Sequence, residues 1–226
     1  MPLQVELEIA IDAPFGAALE QLGIQRVELC ADLGCDGLTP EAAMLRQTRR
    51  DFSGHLAVLV RRTRNGFEAE GAALEALEQD ARMARDLGAD SIVAGVLSPA
   101  GMIDLGATAR LVAAAGPCVF VFHRAFDRLA DLEAGYRQLA ALNVSRVLTS
   151  AGAPSALAGL DGLRALGQLA LKEQGPRLMA AGGIRAANAV QVASIAGVAA
   201  IHRSGMQAGA LDTDGIRQTL QALTLV

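Results

Sequence analysis

The sequence predicts an α/β protein, a single compact (β/α)8 TIM-type barrel spanning residues 1–226. Three observations carry this reading. A unit made of a helix end, a Gly or Asn, and a short β-prone run recurs along the chain. The strand-like runs are short and apolar throughout, as parallel strands covered by helices are. Helical patterns separate the strands with no linker-like break, and eight βα units of this length close into a barrel.

Taken in order, Val5–Ile11 reads as the first strand. Leu22-Gly23-Ile24-Gln25-Arg26 stops a helix and leads into Val27–Cys30, the second. Thr39-Pro40-Glu41 reads as N-cap, first-turn proline and acidic first turn of the next helix. Leu56–Arg61 is the third strand. Leu74, Leu77, Ala81, Ala84 and Leu87 recur at helical spacing among charged residues. Leu87-Gly88 then leads into the fourth strand, Ile92–Gly95. Cys118–His123 is the fifth, and Leu142-Asn143 leads into the sixth, Val147–Ser150. Arg177–Ala181 is the seventh, Ala196-Gly197 leads into Ala199–His202, the eighth, and Asp212–Leu223 is a final helix. A doubly wound open sheet is the alternative. No Gly-rich dinucleotide fingerprint follows the first strand, which counts against it.

Composition narrows the function. Hydrophobic residues are 52% of the chain, which excludes disorder, and aromatics only 3%, which argues against a base-stacking platform. The net charge of −4, without a Lys/Arg block, argues against nucleic acid as a partner. Met1–Asp12 has no basic signal region. Leu111–Phe122 is too short to span a bilayer and is broken by Gly116-Pro117. Three cysteines do not make a disulfide framework. The expectation is a soluble, cytoplasmic protein with reduced thiols and no membrane partner.

A barrel collects the carboxyl ends of its strands on one face, where ligands bind. Those ends carry Glu8, Glu28, Cys30, Arg61, Arg62, His123, Arg124, Thr149, Ser150, Gly182, Gly183, His202, Arg203 and Ser204. Glu8 and Glu28 sit inside apolar strands, so each needs a partner: Arg61 or His202, a substrate, or a metal. Glu28 or Glu8 would serve as base, with His123 or His202 as acid–base partner. Because side chains alternate along a strand, one of His123 and Arg124 should face the mouth and the other the helix layer, unless the strand is already ending there. Asp127 would cap the next helix or pair with Arg124. Gly182-Gly183-Ile184-Arg185 and Ser204-Gly205 follow the seventh and eighth strands, where barrels commonly hold phosphate; the alternative is a turn that needs glycine. Arg61, Arg124 and Arg185, with Thr149, Ser150, Gly182, Gly183 and Ser204, would bind a small anionic ligand. Cys30 and Cys35, with four residues between them, would reach one soft ion such as Cu(I); buried inert thiols are the alternative. Cys118 reads as core.

Arg26-Val27-Glu28-Leu29-Cys30, Gly37-Leu38-Thr39-Pro40, Gly95-Val96-Leu97, Phe122-His123-Arg124-Ala125-Phe126-Asp127, Arg146-Val147-Leu148-Thr149-Ser150 and Ala181-Gly182-Gly183-Ile184-Arg185 resemble, in this order, blocks of the CutC family. The resemblance covers nearly the whole chain. It implies a cytoplasmic, often oligomeric barrel associated with copper homeostasis, whose enzymatic activity is not settled. It carries over to Glu8, Glu28, Arg61, His123, Arg124, Asp127 and His202. Cys30 matches the second cysteine proposed for copper in the family, but Ala10 stands where the first would be. Cys35 stands where relatives often have Glu, and Asp36 replaces a Gly. Arg61-Arg62-Thr63-Arg64 replaces Arg-Pro-Arg, and His202-Arg203-Ser204 replaces His-Ser-Ser. The resemblance thus implies copper handling, homo-oligomers included. The retained carboxylates, imidazoles and guanidiniums suit instead an enzyme (lyase, isomerase or hydrolase) on a small anionic metabolite, or a non-catalytic binding barrel.

Overall fold

The computed structural model describes residues 5–224; the Met1–Gln4 part of the segment read as lacking a signal lies outside them. Eight parallel strands form a closed barrel in sequence order: β1 Glu6–Ile11, β2 Arg26–Leu29, β3 His55–Leu59, β4 Ser91–Ala94, β5 Val119–Phe122, β6 Arg146–Thr149, β7 Arg177–Ala180 and β8 Val198–Ser204. β8 pairs with β1 to close it, with Glu8 opposite His202 and Ala10 opposite Ser204. The helices α1 Gly16–Gln21, α2 Ala42–Asp51, α3 Gly71–Asp86, α4 Leu105–Ala115, α5 Leu132–Ala141, α6 Leu160–Glu173, α7 Ala186–Ala193 and α8 Thr213–Thr224 follow the strands. A hairpin of β9 Met206–Gln207 and β10 Ala210–Leu211, absent from the sequence reading, sits between β8 and α8.

Side-chain alternation sorts each strand between two cores. One set fills the barrel, with Ala57, Val93, Val121, Leu148, Met179 and Ala200 packed together. The other set, including Ile9, Val27, Leu56, Ile92, Phe120 and Leu178, packs under the helices. α3 shows why its pattern reads as a helix: Leu74, Leu77, Ala81 and Ala84 are its buried stripe. Asp104 and Asp131 cap α4 and α5 by accepting from the amides of Ala107 and Ala134.

Several expectations are corrected. Thr39 does not cap α2, which begins at Ala42 after Glu41. Its hydroxyl instead donates to the Arg61 carbonyl and accepts from the Arg61 amide, tying the β2–α2 loop to the end of β3. β3 stops at Leu59 and β5 at Phe122, so Arg61, His123 and Arg124 lie beyond regular strand. The chain turns into a 3₁₀ segment, Arg124–Arg128, directly after His123. Alternation therefore ends there, and both His123 and Arg124 line the same cavity. Cys118 precedes β5 and packs, partly buried, against the core as expected.

Candidate functional site

A cavity of 590 Å³ opens at the carboxyl end of the barrel. Glu28 and His202 line it from β2 and β8, and Arg61, His123, Arg124 and Arg185 from the segments after β3, β5 and β7. Gly182 and Gly183, both at positive φ, make its wall after β7 without a side chain in the way.

Glu8 and Glu28 have different surroundings. Glu8 is 1% exposed, and both of its oxygens are taken. Oε2 accepts from Arg26 Nη2 at 3.0 Å, and Oε1 lies 3.0 Å from His202 Nδ1. Burial alone would raise its pKa; the bond from His202 and the charges of His202 and Arg26 win and bring it to about 2. Glu28 is 5% exposed and faces the cavity, with no hydrogen bond to Oε2 among the described residues. Burial pushes its carboxyl up to about 7, against the nearby His202 charge and helped by Glu8. Burial would lower the pKa of His202, but Glu28 and Glu8 outweigh it and raise it.

His123 is buried. Burial and the positive charge of Arg61 push its pKa down to about 3. Arg61 is itself 8% exposed and meets no carboxylate among the described residues. Nη1 donates to the carbonyls of Cys35 and Gly37, Nη2 to that of Arg64, and Nε has no partner. Its guanidinium lies 5.1 Å over the ring of Phe67, which also leans on His123 at 5.1 Å.

Asp127 does not cap a helix. It pairs with Arg124 Nε at 2.8 Å and accepts from the Thr149 and Ser150 hydroxyls and the Ser150 and Gly152 amides. Arg124 also donates to Ser150 Oγ. Thr149 and Ser150 thus stand behind Asp127 and off the cavity wall, where they fix Arg124. Ser204 is on the wall, its hydroxyl bound to the Met206 backbone. Arg185 donates to the Ile184 carbonyl and has no carboxylate among the described residues. Arg62 pairs outward with Asp80, and Arg203 is held by Thr219 and Asp212. The partner of Glu8 is Arg26 with His202, not Arg61.

Sequence reasoning missed Arg26, Phe67 and Arg128. Arg26 shares a strand face with Glu28 two residues on, a period-2 signal that could have found it. Phe67 lies in a loop and carries no such signal.

Two donor sets bear on a metal. Oxygen and nitrogen atoms of Glu8, Glu28 and His202 lie within 4.8 Å of one another. Both oxygens of Glu8 are occupied, and the Arg26 guanidinium beside it opposes a cation. The cysteines do not fit Cu(I). Cys30 Sγ is buried, donates to the Ile11 carbonyl and stands off the cavity, and burial with the Glu28 and Asp12 charges raises its pKa. Cys35 Sγ donates to the Asp32 carbonyl. Ala10, in place of a thiol, is 1% exposed. No described group of three clustered donors includes a cysteine.

The CutC family model matches residues 5–207. A family protein CutC from Klebsiella pneumoniae subsp. pneumoniae is 36% identical over 185 residues, covering 82% of this chain and 73% of that protein. Among solved structures, a Streptococcus agalactiae protein described as copper homeostasis protein CutC superposes with a TM-score of 0.78 at 26% identity, covering 88% of this chain and 97% of that one. The 3-hexulose-6-phosphate synthase of Salmonella typhimurium matches with a TM-score of 0.66 at 16% identity over 97% of this chain and 98% of its own, a likeness of fold alone. The blocks read from the sequence, the eight-stranded barrel and these matches agree: the chain belongs to the CutC family.

Proposed function

We propose that this CutC-family barrel binds a small anionic metabolite in its mouth and acts on it by proton transfer. One observation carries the reading. A buried guanidinium, Arg61, and a buried carboxyl, Glu28, line one cavity, and neither makes a salt bridge among the described residues, the charge nearest Glu28 being the imidazole of His202. Leaving buried charges unpaired is costly, and a ligand that is anionic at one end and proton-exchanging at the other satisfies both. Arg185 and the Gly182-Gly183 backbone extend the cationic side, and Arg124 is held in place by Asp127. Glu28 and His202 are the groups placed to exchange protons, and Glu8 orients His202 by holding Nδ1. Lyase, isomerase and hydrolase chemistry all use such a set.

The test is thermal unfolding with inorganic phosphate, glycerol 3-phosphate, malonate and, as a cationic control, putrescine. At least one anion should raise the midpoint by several degrees at about a hundredfold excess over its Kd, and putrescine should not. Arg185→Ala should weaken that shift, and Glu28→Gln should keep it. An unmoved midpoint with every anion contradicts the reading.

A second reading follows from the family. The S. agalactiae relative is described as a copper homeostasis protein, and a role for this chain in copper homeostasis is a proposal on that ground. Direct Cu(I) binding at Cys30 and Cys35 runs against their donor geometry.

A further inference from the structure

Resting on the anion-binding reading above, we propose that the chemistry is proton abstraction beside a carbonyl group, with Glu28 as the base and the Nε2–H of His123 holding the carbonyl oxygen. The substrate class is then an anionic carbonyl compound with a C–H bond beside the carbonyl.

The tautomer of His123 follows from its partner. The Ala125 amide, which can only donate, lies 3.2 Å from Nδ1. Nδ1 therefore carries no proton, and the ring proton sits on Nε2. Nε2 has no protein partner among the described residues and is not among the solvent-shielded unpaired atoms, although the residue is only 5% exposed. The ring lines both the cavity of the mouth and a smaller pocket beside Phe67 and Gly95, and we place Nε2–H on the side of the mouth. Three contacts hold the imidazole still. Phe67 tilts against it at 59°, and Phe122 meets it edge-on at 6.0 Å. A Cβ on Gly95 would come within 2.8 Å of Nδ1, so β4 must be followed there by a residue without a side chain. Protonating Nδ1 would break the Ala125 bond and add a cation beside Arg61, so the ring stays neutral well below pH 7.

A fixed neutral imidazole is a poor proton reservoir but a good hydrogen-bond donor to an oxygen that gains charge. In the step, the Glu28 carboxylate takes the proton from the carbon next to the carbonyl. The C–H pair becomes the new C=C bond, the carbonyl π pair moves onto oxygen, and His123 Nε2–H holds that oxygen. The Glu28 carboxylic acid then returns the proton to carbon. No oxidant, reductant or co-reactant is consumed.

The chain has three histidines, so their ring nitrogens can be followed one by one by ¹⁵N NMR. His123 should show the neutral Nε2–H form unchanged between about pH 8 and 5, where an ordinary histidine titrates. In parallel, phosphoglycolohydroxamate, which mimics the enediolate, is compared with glycerol 3-phosphate, which carries the phosphate without it. The hydroxamate should bind about tenfold or more tighter, as one charge-assisted hydrogen bond allows, and His123→Ala should erase that preference while glycerol 3-phosphate binding holds. His123→Gln, which keeps an N–H donor, should recover part of it. A His123 that titrates in this range, or a preference that survives His123→Ala, overturns the proposal. Equal binding of both anions by the wild type sinks this proposal alone; binding of neither sinks the anion reading and this one with it.

Discussion

Compare the floor of the barrel with its mouth. At the floor, Glu6 lies at the start of β1, and Arg26, Arg146 and Arg177 start β2, β6 and β7. All three guanidiniums come within 3.3 Å of Glu6, and Arg26 reaches Glu8 as well. At the mouth, Glu28, Arg61 and Arg185 make no salt bridge among the described residues, Glu28 having only the imidazole of His202 nearby, and Glu28 and Arg61 are as well buried as Arg26. Burial of charge is thus common to both ends, and only pairing separates them. A buried charge that the fold has paired holds the structure, and one that it has left unpaired in a cavity is available to a ligand.

Breaking a floor pair should have the largest effect. Glu8→Ala leaves Arg26 with Glu6 alone and takes the carboxylate partner from His202, and should cost about 3–5 kcal/mol in urea unfolding. A loss below about 1 kcal/mol, the range of a surface pair, would show that the floor is not held by its ion pairs.

The mouth should respond with the opposite sign. The folded pKa of Glu28, about 7, lies above its ordinary 4.5, so the folded state holds that proton more tightly than the unfolded chain. The contribution is full below pH 4.5 and is lost as pH rises through 7. Glu28→Gln should therefore be more stable than wild type at pH 8, by up to about 3 kcal/mol, and nearly equal to it at about pH 4. Equal stability at both pH values would mean that Glu28 has a partner.

His123 sharpens the comparison on the acid side. Its folded pKa of about 3 lies below the ordinary 6.5, so the unfolded chain takes the proton first and stability falls as pH drops below 6.5. Replacing it with Gln should flatten this limb by about 2 kcal/mol at pH 5. The smallest effect is expected at the cysteines. Cu(I) affinity of the reduced protein, measured against a strong chelator, should match an ordinary thiol and change little in Cys35→Ser. Tight one-to-one binding lost in Cys30→Ser or Cys35→Ser would restore direct copper handling.

The barrel was legible because its evidence is local: Leu22-Gly23, Leu87-Gly88 and Leu142-Asn143 each stop a helix just before a strand. Glu28, Arg61 and His123 were legible as polar residues at the ends of apolar runs. Their differences were not. The two partners of Glu8 lie 18 and 194 residues away in sequence, brought together only when β8 closes on β1. Thr149 and Ser150 read as ligand contacts because they end β6, and only the fold shows Asp127 standing between them and the cavity. The alternation rule misplaced His123 and Arg124 because β5 ends with its apolar run at Phe122, one residue before the expected strand Cys118–His123.

The central claim is that Glu28 is an unpaired, proton-exchanging carboxyl inside the barrel mouth. The most direct measurement is its titration by ¹³C NMR of the side-chain carboxyl in the ligand-free protein, assigned with Glu28→Gln. The account predicts a midpoint near 7, moving when an anion fills the mouth. A midpoint at or below the ordinary 4.5 would show that the carboxylate is paired in solution and would contradict the account.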